Sequence, residues 1–347
     1  MNIFSNKALR MSGAALAAVL LISGCAKEST TDTTGMAEAF FNSWMSVNHP
    51  GVSPTSDGVY IIEDTPGTGE TVTDDDFYLF TDYTATDLDG NVVATTSEKV
   101  SQRLGSYKKG NYYGAEILIN DKNYIPEGLT YVIKGMKVGG KRTAIVPSWL
   151  NVTSDDHLEA TSGSNTIYTI DLLDKTDKID DWEIDTLRKY VAINMSGIDS
   201  TKFGYYCKTL KEPTVDEVFS SDTTFYINYT GRLLNGQVFD TTIEDTAKVY
   251  GLYSSSKTYA PMLVKPSGEN SYKEIRISTD DTSEGSTVVD GFAFCLSRLR
   301  PYEKVICAFY STLAYGYSGK DSLIPRFAPL VFEIEVVDGP DEDEVVV

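Results

Sequence analysis

The stretch NYTGRLLNGQVFDTT, Asn228 to Thr242, gathers side chains that suit recognition. An aromatic strand carrying Tyr229 runs to Leu234, turns on Asn235-Gly236, and returns through Val238-Phe239 to end on Asp240. A phenol, an apolar ring and a carboxylate on one hairpin can form the wall of a binding site. The residues for other chemistries are missing. The histidines are His49 and His157, which argues against Ser-His-Asp and histidine-metal arrangements. There is no GxGxxG or Walker-type loop. Cys207, Cys295 and Cys307 show no CxxC spacing, so no metal and no cofactor are expected. Burial as small apolar residues is the better reading of these thiols. TSDDH (Thr153–His157) and STDD (Ser278–Asp281) read as solvated loops.

The elements that position this hairpin occur twice. With 347 residues, 41% hydrophobic, the composition is globular and the length suggests two domains. Shifted by 146 positions, the first half falls on the second without a gap. Trp44 lands on Tyr190, Asn48 on Asn194, Gly58 on Gly204, Tyr60 on Tyr206, Tyr83 on Tyr229, and Gly90 on Gly236. Further on, Gly128 matches Gly291 and Lys141 matches Lys304 at an offset of 163. IYTIDLLD (Ile167–Asp174) then matches VFEIEVVD (Val331–Asp338) at 164. The second copy therefore carries about 17 extra residues between Asp240 and Val288, read as a longer flap over Lys248–Glu274.

Each copy predicts the same elements. An amphipathic helix comes first. Phe40, Phe41, Trp44 and Val47 mark it in one copy, and Trp182, Leu187, Tyr190 and Val191 in the other. Asp180 or Asp181 is the expected cap of the second helix. A short strand follows near Val59–Ile61 or Tyr205–Cys207. A strand pair then turns on Asp89-Gly90 or Asn235-Gly236. Next come a short helical segment (EGLTYVIKGM or DGFAFCLSRL) and two closing strands. Period-2 alternation fits an antiparallel sheet with one buried face. A short helix across that face gives an α+β fold.

Lys7, Arg10 and the apolar run Ala14–Ile22 read as a targeting segment, too short to span a membrane. It ends LISGC, which resembles a bacterial lipobox. That resemblance implies cleavage before Cys25, lipidation of Cys25, and a tether to the membrane of a bacterial cell envelope. The formal charge of −20 becomes −22 once Lys7 and Arg10 are removed, which disfavours nucleic acid as a partner. The expected layout is a signal peptide over 1–24, a flexible tether over 25–35, domains over 36–176 and 177–340, and an acidic tail over 341–347.

The second copy resembles an FKBP-type peptidyl-prolyl cis-trans isomerase. The pieces are YTGRLLNGQVFD (Tyr229–Asp240), VVDGFAFCLSRL (Val288–Leu299), LAYG (Leu313–Gly316), LIP (Leu323–Pro325) and LVFEIEVV (Leu330–Val337), in the family's order. The resemblance implies a twisted antiparallel sheet wrapped on a short helix, with an aromatic pocket between them. Tyr229, Phe239, Asp240, Val288, Val289, Phe292, Tyr315, Ile324 and Phe332 would line it, and Phe292 stands where many members have Trp. Ile275 or Ile277 would replace a family Phe. The implied substrates are proline-containing polypeptides, turned over without a nucleophile, metal or cofactor, as befits a chaperone-like aid to the folding of exported proteins. A carboxylate beside such apolar walls needs hydrogen-bond partners, and Asp240 would orient Tyr229.

The first copy keeps Tyr83, but Val93 and Ala94 stand where Phe239 and Asp240 stand, and Leu129 replaces Phe292. It reads as an FKBP-like domain with a degenerate site, serving as a spacer, chaperone surface or dimerisation arm. The competing function is a non-catalytic FKBP-like binding module of the cell envelope. The sequence leaves the oligomeric state open.

Overall fold

The computed structural model describes residues 33–152, 163–196, 198, 204–266 and 272–340. Cys25, the signal peptide, the loop Thr153–His157 and the tail over 341–347 lie outside the described residues. No described helix is long and apolar enough to cross a membrane.

The first copy runs α1 (Thr33–Asn48), β1 (Tyr60–Thr65), β2 (Tyr78–Thr86), β3 (Val92–Thr95), α2 (Glu98–Leu104), β4 (Glu116–Ile119), α3 (Glu127–Ile133), β5 (Lys141–Val146) and β6 (Thr166–Thr176). The second runs α4 (Ile179–Asn194), β7 (Tyr205–Lys211), β8 (Phe225–Leu233), β9 (Val238–Thr241), α5 (Glu244–Tyr250), β10 (Met262–Lys265), β11 (Arg276–Ser278), β12 (Ser286–Thr287), α6 (Asp290–Leu296), β13 (Lys304–Phe309) and β14 (Leu330–Val337). The first sheet is ordered β1-β5-β6-β2, with β3 and β4 on successive halves of β2. The second repeats this as β7-β13-β14-β8, with β9 and β10 on β8. Every pairing is antiparallel, and the fold is α+β in both copies.

The repeat extends to individual hydrogen bonds. Thr96 Oγ1 accepts from the Tyr83 N–H at 2.9 Å, and Thr242 Oγ1 accepts from the Tyr229 N–H at 3.0 Å. Gly90 and Gly236 both take φ near +87°, the left-handed turn conformation that glycine adopts without a steric penalty.

Each sheet buries more than one face. In the second copy one face packs on α6 through Phe292 and Leu296. The other carries Tyr206, Ala308 and Val331 against Leu187, Val191 and Met195, two of them on α4 and the third just after it. The first copy does the same with Phe41 and Met45 of α1 on Ile145. This departs from the single buried face expected, because the N-terminal helix of each copy covers the back of its sheet.

Four sequence readings need correction. Phe40 and Val47 are exposed, and the buried stripe of α1 is Phe41 with Met45. Helix α1 starts at Thr33, inside the stretch read as tether. Asp180 and Asp181 lie in the first turn of α4, whose N-cap is Lys178. The extra residues are also later than expected. The offset of 146 holds through α5 and β10, so the insertion falls between Lys265 and Val288. There it forms the β11–β12 hairpin, which extends the sheet edge beyond β10. Gly105, Tyr107 and Tyr113 fall on Gly251, Tyr253 and Tyr259 at that same offset, so the repeat continues in the sequence well beyond Asp240. Helices α2 and α5 are short and were not read from the sequence at all.

The copies are joined by side-chain contacts. Trp182 of α4 donates its indole N–H to Asp174 at 2.9 Å and packs on Phe80 at 5.4 Å. One buried acid has a further role. Glu183 of α4 has no exposed surface, and it accepts hydrogen bonds from the Ser311 N–H and hydroxyl, both at 2.7 Å. These bonds pin the turn after β13 onto the helix. Burial raises the Glu183 carboxyl from the usual 4.5 to about 7, and the Ser311 bonds only partly oppose this. The folded chain therefore holds this proton more tightly than the unfolded chain. Its contribution to stability is fully present below about pH 4.5 and is lost as pH rises through about 7. Urea unfolding between pH 5 and 8 should show this group's contribution falling by up to about 3 kcal/mol. Glu183→Gln should flatten that part of the profile.

Candidate functional site

Strand β8 builds the site's centre. Gly231 lies between Asp240 of β9 and Phe332 of β14 in the ladder, so all three share one face. Tyr229, two residues earlier, shares that face and sits opposite Ile334. A β-bulge between Gly231 and Arg232 lets the consecutive residues Phe239 and Asp240 both turn toward the site. The ring of Phe332 is central. Its centroid lies 4.7 Å from Phe292, 5.5 Å from Phe239, 5.7 Å from Phe309 and 6.2 Å from Tyr229. Tyr229 and Phe292 meet edge-to-face at 5.3 Å. These separations are typical of favourable aromatic packing.

This packing depends on an absent side chain. A Cβ built on Gly231 would fall 2.6 Å from the Phe239 ring and 2.8 Å from the Phe332 ring. In the first copy the matching residue is Ala85, fully buried, beside Val93 in place of Phe239. The smaller partner leaves room for the methyl group.

Polar groups close the rim. Tyr229 donates its hydroxyl to Asp240 Oδ2 at 2.7 Å. Lys257 donates to Asp240 Oδ1 at 2.6 Å, and the Thr241 N–H donates to the same oxygen at 2.9 Å. Asp240 thus has the partners that a carboxylate beside apolar walls requires. Burial first, and then the adjacent carboxylate, hold the Tyr229 phenol well above its usual 10, so it remains a proton donor to Asp240. Tyr315 stands on the loop between β13 and β14, where Lys320 donates to its hydroxyl at 3.4 Å. Val289 is the N-cap of α6, so its N–H precedes the helical ladder.

All ten residues expected from the sequence line one cleft of about 650 Å³. They are Tyr229, Phe239, Asp240, Ile277, Val288, Val289, Phe292, Tyr315, Ile324 and Phe332. Between the two isoleucines considered, Ile277 borders the cleft while Ile275 is buried in the core. The added hairpin brings Ile277 and Thr287, and the segment after α5 brings Leu252 and Lys257. Lys257, Leu252, Thr287, Lys320, Leu323 and the requirement for Gly231 were not read from the sequence. For Gly231 a signal existed, since its repeat partner is Ala85. For Lys257 there was none, because its contact spans 17 residues across an irregular segment. A larger groove of about 1260 Å³ lies between α6 and β7, bordered by Phe294, Tyr205 and Arg300, and none of the ten expected residues lines it. Cys295 and Cys307 are buried, and Cys207, Cys295 and Cys307 are all free thiols.

No family model and no curated protein matches the chain. Among solved structures it is similar to the three FKBP domains of wheat FKBP73, with 17% identity over 82% of this chain and 95% of that one, at a TM-score of 0.28. It is also similar to a peptidyl-prolyl cis-trans isomerase from Pseudomonas syringae pv. tomato, with 22% identity over 48% of this chain and 99% of that one, at a TM-score of 0.30. FkpA from Escherichia coli matches at 21% identity over 46% of this chain and 60% of that one, also at 0.30. Superpositions this loose say nothing about individual residues, which stand on the geometry of the cleft.

Gly231→Ala should force the Phe239 and Phe332 rings apart. The expected result is a loss of about 1–3 kcal/mol in urea unfolding and a changed near-ultraviolet circular dichroism signal from the displaced rings. Unchanged stability and an unchanged aromatic signal would show that the ring cluster does not depend on Gly231.

Proposed function

We propose that the chain is a peptidyl-prolyl cis-trans isomerase of the FKBP type whose second copy carries the active site. The observation that carries this reading is the closed group of Tyr229, Phe239, Phe292 and Phe332 with Asp240 bonded to the Tyr229 hydroxyl. Rotation about an X–Pro bond is slow because amide resonance must be broken, at about 18–20 kcal/mol. A catalyst needs only to bind the twisted amide more tightly than the planar one.

The cleft suits that task. The proline ring packs on Phe292, Phe332 and Tyr229. The twisted amide carries less charge separation than the planar form, so apolar walls favour it. The Val289 N–H holds a substrate carbonyl, and the Tyr315 hydroxyl offers a second donor. Val288, Ile277 and Ile324 flank the chain on either side of the proline. Asp240 acts through Tyr229: it fixes the phenol's orientation and shapes the field, and it moves no proton.

The first copy carries no such site in this reading. Val93, Ala94 and Leu129 cannot supply the rings or the carboxylate. The chain is tethered to the envelope membrane through lipidated Cys25 and assists folding of exported proline-containing polypeptides. An intact-mass measurement of the mature chain from a bacterial membrane fraction tests the anchor, with a Cys25→Ser chain as the comparison.

The test of activity is the isomerisation rate of a proline tetrapeptide in the presence of the full chain. Phe292→Ala and Asp240→Ala should each lower kcat/KM at least tenfold, about 1.4 kcal/mol in transition-state binding. No acceleration over buffer by the folded wild-type chain would remove the catalytic claim.

A further inference from the structure

The loop from β13 to β14 supplies two walls of the cleft, Tyr315 and Ile324, and its backbone is unusual. Asp321 and Phe327 take φ of 48° and 54°, a region that side chains other than glycine rarely adopt. Such residues persist only where their surroundings over-determine them. Within the loop, the Phe327 N–H donates to the Gly316 carbonyl at 2.9 Å, and the Phe327 and Tyr317 rings lie 6.0 Å apart. Further partners come from the first copy. Tyr78 meets the Phe327 ring edge-on at 5.3 Å, and Tyr124 meets Tyr317 at 5.9 Å. The Tyr112 N–H donates to the Ser322 carbonyl at 2.7 Å.

The place of contact is specific. In the second copy β10 is extended by the β11–β12 hairpin, whereas β4, its counterpart, has no such extension. Ile324, Pro325 and Arg326 border a cavity with Glu116–Ile119 of β4 instead. This cavity of about 210 Å³ is walled by Tyr83, Glu116 and Tyr124 from the first copy and by Ile324, Pro325 and Arg326 from the second. Tyr83, Tyr124 and Ile125 are the repeat partners of Tyr229, Thr287 and Val288, so this cavity overlaps one side of the position that the cleft occupies in the other copy. Burial raises the Glu116 carboxyl, and the Arg326 guanidinium opposes that rise. Both side chains border this cavity, and the Arg326 guanidinium also lies over the Tyr317 ring at 4.6 Å.

We infer that the Tyr83 side of the first copy's degenerate site is an internal docking site for Ile324-Pro325-Arg326, and that the first copy acts as a clamp positioning the Tyr315–Ile324 wall of the second copy's cleft. This role for the first copy rests on the isomerase reading of the second. The docking itself does not. Glu116, Arg326 and Tyr78 are positioning residues: they act through the loop and touch no substrate.

The experiment uses the full chain with Glu116→Gln, Arg326→Met, their combination, and Tyr78→Ala. Amide hydrogen exchange is followed over 316–328 together with kcat and KM for a proline peptide. Each single variant should speed exchange in 316–328 at least fivefold while β13 and β14 keep wild-type protection. KM should rise at least threefold with kcat within twofold. The Glu116→Gln/Arg326→Met double variant should be no worse than the worse single variant, because both remove one coupling. Unchanged exchange over 316–328 in every variant, or a uniform rise through β13 and β14 in every variant, overturns the clamp. A wild-type chain without isomerase activity removes the catalytic reading, and the exchange data then decide the docking alone.

Discussion

Phe332, Gly231 and Asp240 lie in one row across β14, β8 and β9, and the missing side chain in the middle is the constraint on which the cleft depends. Neighbouring strands lie about 4.8 Å apart, and here the rings from both sides fold over the middle residue, so a Cβ there would meet Phe239 at 2.6 Å and Phe332 at 2.8 Å. With glycine at the centre, the Phe239 and Phe332 rings close over the strand and meet at 5.5 Å. The β-bulge then does what a regular strand cannot. It turns two consecutive residues to one face, so Phe239 contributes a wall while Asp240 reaches the Tyr229 hydroxyl. Ring cluster and carboxylate therefore share one piece of backbone geometry.

The same geometry without the same side chains occurs in the first copy. Its hairpin has the bulge, the threonine that accepts from the tyrosine N–H, and the glycine turn. Ala85, Val93 and Ala94 fill it with small groups. The scaffold is a requirement of folding and is present twice. The ring cluster with its bonded carboxylate is present once.

The loop between β13 and β14 connects these levels. Its start is held by Glu183, a buried acid on a helix that covers the back of the sheet. Its end is held by aromatic rings of the other copy. A wall of the cleft is thus built from parts that belong to neither the hairpin nor the short helix, and the binding surface is a property of the whole chain.

Much of this was legible in the residues. The 146-residue offset, the Asn-Gly and Asp-Gly turns and the period-2 strands determined a twice-repeated α+β architecture, because turn chemistry and alternation are local. The order of Tyr229, Phe239, Asp240, Phe292, Tyr315 and Phe332 marked the side chains that gather at one cleft, since antiparallel register follows from hairpin length. What the sequence did not determine lies in contacts between segments far apart in the chain. Lys257 on Asp240, Glu183 beneath Ser311 and the first copy against the 316–328 loop have no local pattern. Only the packed structure brings those groups together. Burial and distance then decide which acid is raised, which carboxylate is paired and which strained backbone is held.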